Sequence, residues 1–138
     1  MLTALRLYTK EKLLFLWENL LTLTESFLNF AKKYEFTPMP GYTHMQKAMP
    51  SSVGMWAGAF VEALLDDLIT LKAVYCLINK SPLGSAAGYG VPLNIDREYT
   101  SKLLGFDTFQ INSLYSQNSR GKTEAVVLAA LNSILLDI

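Results

Sequence analysis

The sequence is poor in the residues that build disulfides and metal centres. Its 138 residues include one histidine, His44, and one cysteine, Cys76. A single cysteine excludes a disulfide within the chain. This is consistent with a reducing compartment but does not require one. Cys76 lies in an apolar helical run, which favours a core position over a nucleophilic role. We expect no metal site.

The chain also lacks an excess of either charge and an apolar run of membrane-spanning length. Twelve lysines and arginines balance twelve aspartates and glutamates, which argues against nucleic acid as a partner because such a partner needs a basic face. Glu18 interrupts one apolar stretch, and Glu62, Asp66 and Asp67 interrupt the other. Neither offers the roughly 18 uncharged residues of a membrane span. The N-terminus does not read as a signal peptide, so we expect a cytoplasmic protein without a membrane partner.

Apolar residues make up 51% of the sequence, enough for a core in one domain of ordinary size. From about Thr3 to Tyr34 they recur at steps of three and four, the spacing of a helix that packs along another helix. A second apolar stripe lies beside the first, so this helix is expected to contact more than one neighbour. Its length would be roughly 48 Å at about 1.5 Å per residue.

Residues 37–41, which include two prolines, end this first helix. Ser51 and Ser52 are good N-caps for a second helix, which is predicted to run to about residue 79. Gly54 and Gly58 form a GxxxG pair in it. Because the chain has no membrane span, the pair predicts one close helix crossing rather than dimerisation in a bilayer.

The remaining sequence predicts loops and shorter helices. Residues 80–93 are rich in glycine and proline and predict a loop, which six small residues allow to approach other backbone closely. A short helix comes next, capped by Asp96 and ended by Gly105. Residues 106–121 are irregular, and residues 124–137 form a last apolar helix. The sequence thus predicts an all-α fold with long antiparallel helices and irregular crossover loops. Its surplus apolar surface predicts a helical-bundle oligomerisation domain that packs against other chains.

The segment around the only histidine is the strongest candidate for chemistry. His44 lies between Thr43 and Gln46, in a region punctuated by proline and glycine. Histidine exchanges protons near neutral pH, so His44 is a candidate for acid–base catalysis if other residues complete a site. The alternative is structural: His44 caps a turn or bonds to a backbone carbonyl.

Four segments carry collinear motifs: Met39–Pro50, Asn79–Gly88, Leu93–Glu98 and Leu103–Phe106. The first is similar to MPGYTHxQxAxP and the second to N-x-x-PLGxxA, two signatures of the argininosuccinate lyase family in the fumarase/aspartase superfamily. The third and fourth are similar to the next two segments of that family, in the same order. The resemblance extends over essentially the whole chain.

The resemblance implies an enzyme that splits argininosuccinate into arginine and fumarate without a cofactor. Thr43 would bind substrate, and His44 would belong to the acid–base machinery. Gln46 would position the turn or the substrate, a contact with backbone being the alternative. Arg120 would hold a carboxylate, although the family's S-D-R-D-F is replaced here by a sequence with Arg-Gly-Lys, and a solvated loop arginine is the alternative. The family builds each site from three subunits of a tetramer, which implies a homo-oligomer with a small-molecule substrate.

The family's upstream SRNDQ motif and its downstream GSSxMPxKxNP loop, which supplies a catalytic serine, are absent. We therefore expect residues 1–138 to be a partial central helical domain that is inactive as an isolated chain. Two other interpretations are open. The chain is a non-catalytic helical assembly module, or it belongs to a superfamily lyase that acts on another succinyl substrate such as adenylosuccinate.

Overall fold

The computed structural model describes residues 1–138, and it is mostly helical with a small amount of strand. The helices are α1 (Leu2–Lys33), α2 (Val53–Ile78), α3 (Arg97–Leu103), α4 (Ser113–Asn118) and α5 (Lys122–Asp137). The strands are β1 (Pro38–Thr43), β2 (Gln46–Ser52), β3 (Lys80–Ser81) and β4 (Thr108–Phe109). The predicted helical class is confirmed. None of the helices combines the length and the apolar character that crossing a membrane requires.

Helices α1 and α2 lie side by side and run in opposite directions. The rings of Phe27 and Phe60 stack with centroids 5.2 Å apart, while the Lys10 ammonium lies 5.8 Å from the centroid of the Tyr75 ring. Contacts therefore move down one helix as they move up the other. The core consists of apolar side chains on one face of each of three helices: Leu13 and Leu20 of α1, Leu64, Leu68, Leu71, Val74 and Ile78 of α2, and Val127, Ala130 and Ile134 of α5.

Short polar side chains set the starts of the helices as the sequence predicts. The Ser52 hydroxyl accepts a hydrogen bond from the backbone N–H of Met55 at 3.1 Å, and the Asp96 carboxylate accepts from that of Tyr99 at 2.8 Å. Each satisfies a donor that the first helical turn leaves free. Asn112 caps α4 in the same way, inside the segment predicted to be irregular.

The prediction of a core position for Cys76 is wrong, because its side chain is exposed. At this point the buried face of α2 consists of Leu71, Val74 and Ile78. Cys76 is two residues away from Val74 and from Ile78. Two residues are about half a helical turn, so the Cys76 side chain lies on the opposite side of the helix.

The connection between α1 and α2 is a β-hairpin, where the sequence pattern predicts an irregular crossover. Strands β1 and β2 pair antiparallel, with Pro40 opposite Pro50. Prolines argue against a strand inside a sheet, but in a two-stranded hairpin each strand has an outer edge that needs no N–H donor. The prolines therefore make the strands hard to predict from the sequence, although they do not prevent the hairpin from forming.

The hairpin ends in a two-residue turn formed by His44 and Met45. Thr43 and Gln46 are the last pair before it, and the φ angles of the two turn residues are 50° and 62°. Positive φ at both positions is typical of a type I′ turn, whose twist suits a hairpin. Such turns favour Asn-Gly, so this one carries backbone strain in two residues that have side chains.

One glycine of the GxxxG pair makes the close crossing. A Cβ atom added to Gly54 would lie 2.7 Å from the carbonyl oxygen of Ala31, in the last turn of α1. It would also lie 2.6 Å from the Cα of Glu35, just after that helix. A Cβ added to Gly58 would meet nothing within 4 Å. Only Gly54 is therefore required for the start of α2 to approach the end of α1.

These two glycines provide a matched test of the crossing. Gly54→Ala should lower the free energy of unfolding by about 1–3 kcal/mol, because backbone on α1 must move aside. Gly58→Ala should leave it unchanged or raise it by up to about 1 kcal/mol through helix propensity. Urea unfolding followed by circular dichroism measures both values. Equal effects of the two substitutions would contradict the close approach at Gly54.

The strain in the hairpin turn can be tested at Met45. Met45→Gly should stabilise the hairpin by about 1 kcal/mol, since glycine adopts positive φ without steric conflict. Met49→Gly is the control, because Met49 is also a methionine of the hairpin but lies in strand β2 rather than in the turn. Glycine in a strand should weaken the pairing of β1 with β2. Amide hydrogen exchange over residues 38–52 measures the difference. Reduced protection in Met45→Gly would show that the turn is not strained.

Candidate functional site

Three of the four predicted site residues lie together at the tip of the hairpin. Thr43 and Gln46 face each other as a strand pair, and His44 occupies the first position of the turn between them. Side chains of paired residues lie on the same face of a hairpin. All three residues are exposed. The hairpin that follows α1 therefore presents a hydroxyl, an imidazole and an amide to the outside at its tip.

A bulge in β2, opposite Gly41 of β1, shapes the hairpin that carries this tip. The register of β1 and β2 shifts between Pro40 and Tyr42, and a Cβ atom at Gly41 would lie 2.8 Å from the Met49 carbonyl oxygen. A bulge bends a strand and increases its twist. The absence of a side chain at Gly41 thus allows the two strands to approach closely just before the tip.

Arg120 lies in the turn between α4 and α5, where it is exposed. It lines an open hollow of about 440 Å³ together with residues 1–3, residues 82–86, Val91, Ser116 and Gln117. The small-residue loop predicted at 80–93 forms one wall of this hollow. A guanidinium at the edge of such a hollow can bind a carboxylate through two parallel hydrogen bonds.

The loop beside Arg120 is held by an arginine that no sequence pattern singles out. Arg97 donates hydrogen bonds from Nε to the Leu83 carbonyl at 2.9 Å and from Nη2 to the Gln110 carbonyl at 2.8 Å. A Cβ atom on Gly84, whose φ is 85°, would lie 2.9 Å from the Arg97 side chain. Arg97 is part of the Leu93–Glu98 motif, but the motif gives no indication of these partners.

The structure does not bring Arg120 together with the hairpin tip. The hairpin follows the end of α1, whereas the Arg120 hollow includes residues 1–3 at the start of α1. A helix of 32 residues is roughly 48 Å long at about 1.5 Å per residue. Within one chain, the proton-transfer candidate and the carboxylate-binding candidate are thus at opposite ends of the fold.

Neither end has the groups of a complete catalytic site. The hairpin tip offers the imidazole of His44, and the hollow offers the guanidinium of Arg120. No group of three or more histidine, cysteine, aspartate and glutamate side chains lies close enough together to hold a metal ion.

Three helices expose apolar side chains on the faces that point away from the shared core. Phe15 of α1 is 66% exposed, Ile69 of α2 68%, and Leu135 of α5 74%. Further exposed apolar residues on these helices are Leu14, Leu21, Leu28, Leu65, Leu77, Leu128 and Leu136. Exposed large apolar side chains that cluster on one face are typical of surfaces that pack against other protein.

Comparisons with known proteins agree on one family. A family model described as Lyase matches residues 1–134. The argininosuccinate lyase of Thermotoga neapolitana is 46% identical over 137 residues, which are 99% of this chain and 34% of that protein. That of Phocaeicola vulgatus is 46% identical over 133 residues, 96% of this chain and 30% of the relative. This chain therefore spans about a third of the length of the curated relatives it matches.

Solved structures show the same relationship. EDDS lyase in complex with formate has a TM-score of 0.94 and 28% identity, over 99% of this chain and 27% of that one. An EDDS lyase variant with bound fumarate has a TM-score of 0.92 and 28% identity, over 97% and 27%. Because the family model matches all but the last four residues, this chain belongs to the lyase family.

Proposed function

We propose that this chain is the part of an argininosuccinate lyase that supplies acid–base chemistry and a carboxylate contact. The observation that carries the proposal is the exposed hairpin tip, where Thr43, His44 and Gln46 lie together. Support also comes from the identity of 43–47% to argininosuccinate lyases over nearly the whole chain.

In the proposed reaction, argininosuccinate loses a proton from the carbon next to a carboxylate. The resulting carbanion has aci-carboxylate character, and the C–N bond then breaks to release arginine and fumarate. Such a reaction needs a base, an acid on the opposite side, and donors that stabilise the dianionic intermediate. No cofactor takes part.

The four site residues are assigned as follows. His44 belongs to the acid–base pair, and Thr43 binds substrate. Gln46, as the strand partner of Thr43, positions the turn or the substrate. Arg120 holds a substrate carboxylate through its forked donors.

We further propose that residues 1–138 are part of a central helical domain that assembles with other copies, as a homo-oligomer of tetrameric type in the cytoplasm. Helices α1, α2 and α5 would form a bundle by burying their exposed apolar faces on neighbouring copies. Two observations support this proposal: the exposure of residues such as Phe15 and Ile69, and the separation of His44 from Arg120 along α1. A site that uses both residues requires two copies.

The other interpretations have less support. The named relatives are argininosuccinate lyases, which disfavours another succinyl substrate such as adenylosuccinate. A non-catalytic assembly module would explain the exposed apolar faces, but it would not explain an imidazole held at a strained turn.

A chimera tests the function directly. When this chain replaces the matching segment of the Thermotoga neapolitana enzyme, the chimera should release fumarate from argininosuccinate, as followed by absorbance. His44→Asn in the chimera should lower kcat by about 10²–10⁴-fold, the usual contribution of a positioned acid or base. The isolated 138-residue chain should show no release.

Lys47→Gln in the chimera is the matched control, because Lys47 is exposed on the same hairpin and has no proposed role. Its turnover should equal that of the unaltered chimera. Unchanged turnover in His44→Asn would remove His44 from the mechanism. Fumarate release by the isolated chain would show that the site needs no other segment.

A further inference from the structure

Arg6 is the most deeply buried charged side chain of the protein. It is 0% exposed, and it donates from Nη1 to the Lys80 carbonyl at 2.7 Å and from Nη2 to the Thr123 hydroxyl at 3.4 Å. Its Nε lies 3.9 Å from the Glu124 Oε1, and neither of these two atoms has a hydrogen-bond partner. Burial lowers the pKa of Arg6, and Glu124 opposes that shift.

These contacts are a poor arrangement for stability alone. Removing a guanidinium from water is costly, and it is offset only when hydrogen bonds and ion pairs satisfy the group well. Here one hydrogen bond is long and the ion pair is loose. An apolar side chain of similar volume would fill the same space without that penalty.

Glu124 connects this buried arginine to the turn that carries Arg120. Its second oxygen, Oε2, accepts a hydrogen bond from the Gly121 N–H at 3.0 Å. Gly121 has a φ of 85° and follows Arg120 directly. The backbone N–H of Arg120 itself has only a 3.5 Å contact with the Gln117 carbonyl. Backbone bonds also close the turn, from the Lys122 N–H to the Ser119 carbonyl at 3.1 Å and from the Ala125 N–H to the Gly121 carbonyl at 2.9 Å. Glu124 is the side chain that holds the Gly121 N–H, the donor next to Arg120.

We propose that Arg6 is a positioning residue: through Glu124 it fixes the Arg120 turn, so that the Arg120 guanidinium points into the hollow and can bind a carboxylate. This inference rests on the proposed function, which gives Arg120 that role. If Arg6 served global stability alone, its loss would weaken the whole core equally and leave the Arg120 turn no worse than the rest.

Hydrogen exchange separates the two roles. Arg6→Met should reduce protection of the amides in residues 119–125 at least tenfold more than protection in the paired α1 and α2 helices. Arg6→Lys should restore part of it, since an ammonium can still pair with Glu124. Lys12→Met is the control, because Lys12 is an exposed cation on the same helix, and it should change neither region.

A second pair of variants covers the case in which Arg6→Met does not fold. Glu124→Ala removes the link without emptying the core, since the Glu124 side chain is 20% exposed. It should produce the same local loss of protection. Glu98→Ala, which removes only the exposed ion pair with Lys102, is its control.

The Arg120 Nε–Hε resonance reports on ligand binding. Titration of the unaltered chain with fumarate should shift this resonance, and Arg6→Met or Glu124→Ala should weaken the apparent affinity at least fivefold. Arg6→Lys should lie between them and the unaltered chain. The titration uses the folded fraction, so uniform destabilisation would not move the affinity.

Each outcome decides a separate claim. Unchanged protection at residues 119–125 in both Arg6→Met and Glu124→Ala, or an equal loss throughout the chain, would overturn the positioning role. A local loss of protection with no fumarate shift in the unaltered chain would support Arg6 as the residue that fixes the turn. That second result would contradict the proposed role of Arg120 in binding a carboxylate.

Discussion

The antiparallel pairing of α1 with α2 determines where every candidate functional residue lies. Close approach at Gly54 places the start of α2 against the end of α1, and buried leucines continue the contact along both helices. The hairpin with His44 is thereby held at one end of the pair, and the Arg120 hollow at the other. A chemistry that needs both an imidazole and a guanidinium is divided between the two ends.

Different forces organise the two ends of the helix pair. Apolar side chains pack the helices together, whereas two buried cations of α1 attach the loops beside its N-terminus. Arg6 binds the Lys80 carbonyl, and Lys10 donates to the Gly105 carbonyl with its ammonium 4.5 Å from the Phe106 ring centroid. The loops have little apolar periodicity, so hydrogen bonds from α1 take the place of a core there.

The helices could be predicted because periodicity and caps are local signals, as at Ser52, which begins α2 where expected. The β-hairpin could not, since its prolines conceal its strands, and α4 could not, because six polar-rich residues after Asn112 show no period. Thr43, His44 and Gln46 lie together at the tip because they are neighbours in the sequence, and their functional roles stay a prediction. The distance between His44 and Arg120 depends on how α1 aligns with α2. That alignment cannot be predicted from a local sequence pattern.

The central claim is that His44 and Arg120 meet only between copies. Spin labels test it in a Cys76→Ser background, at cysteines introduced as Met45→Cys beside His44 and Lys122→Cys near Arg120. In the first sample, chains that carry both labels are diluted with unlabelled chain, and the separation should be near the roughly 48 Å length of α1. In the second sample, chains with only the first label are mixed with chains with only the second, and a much shorter distance should appear. Dipolar coupling confined to the long separation, with none between mixed copies, would contradict the claim.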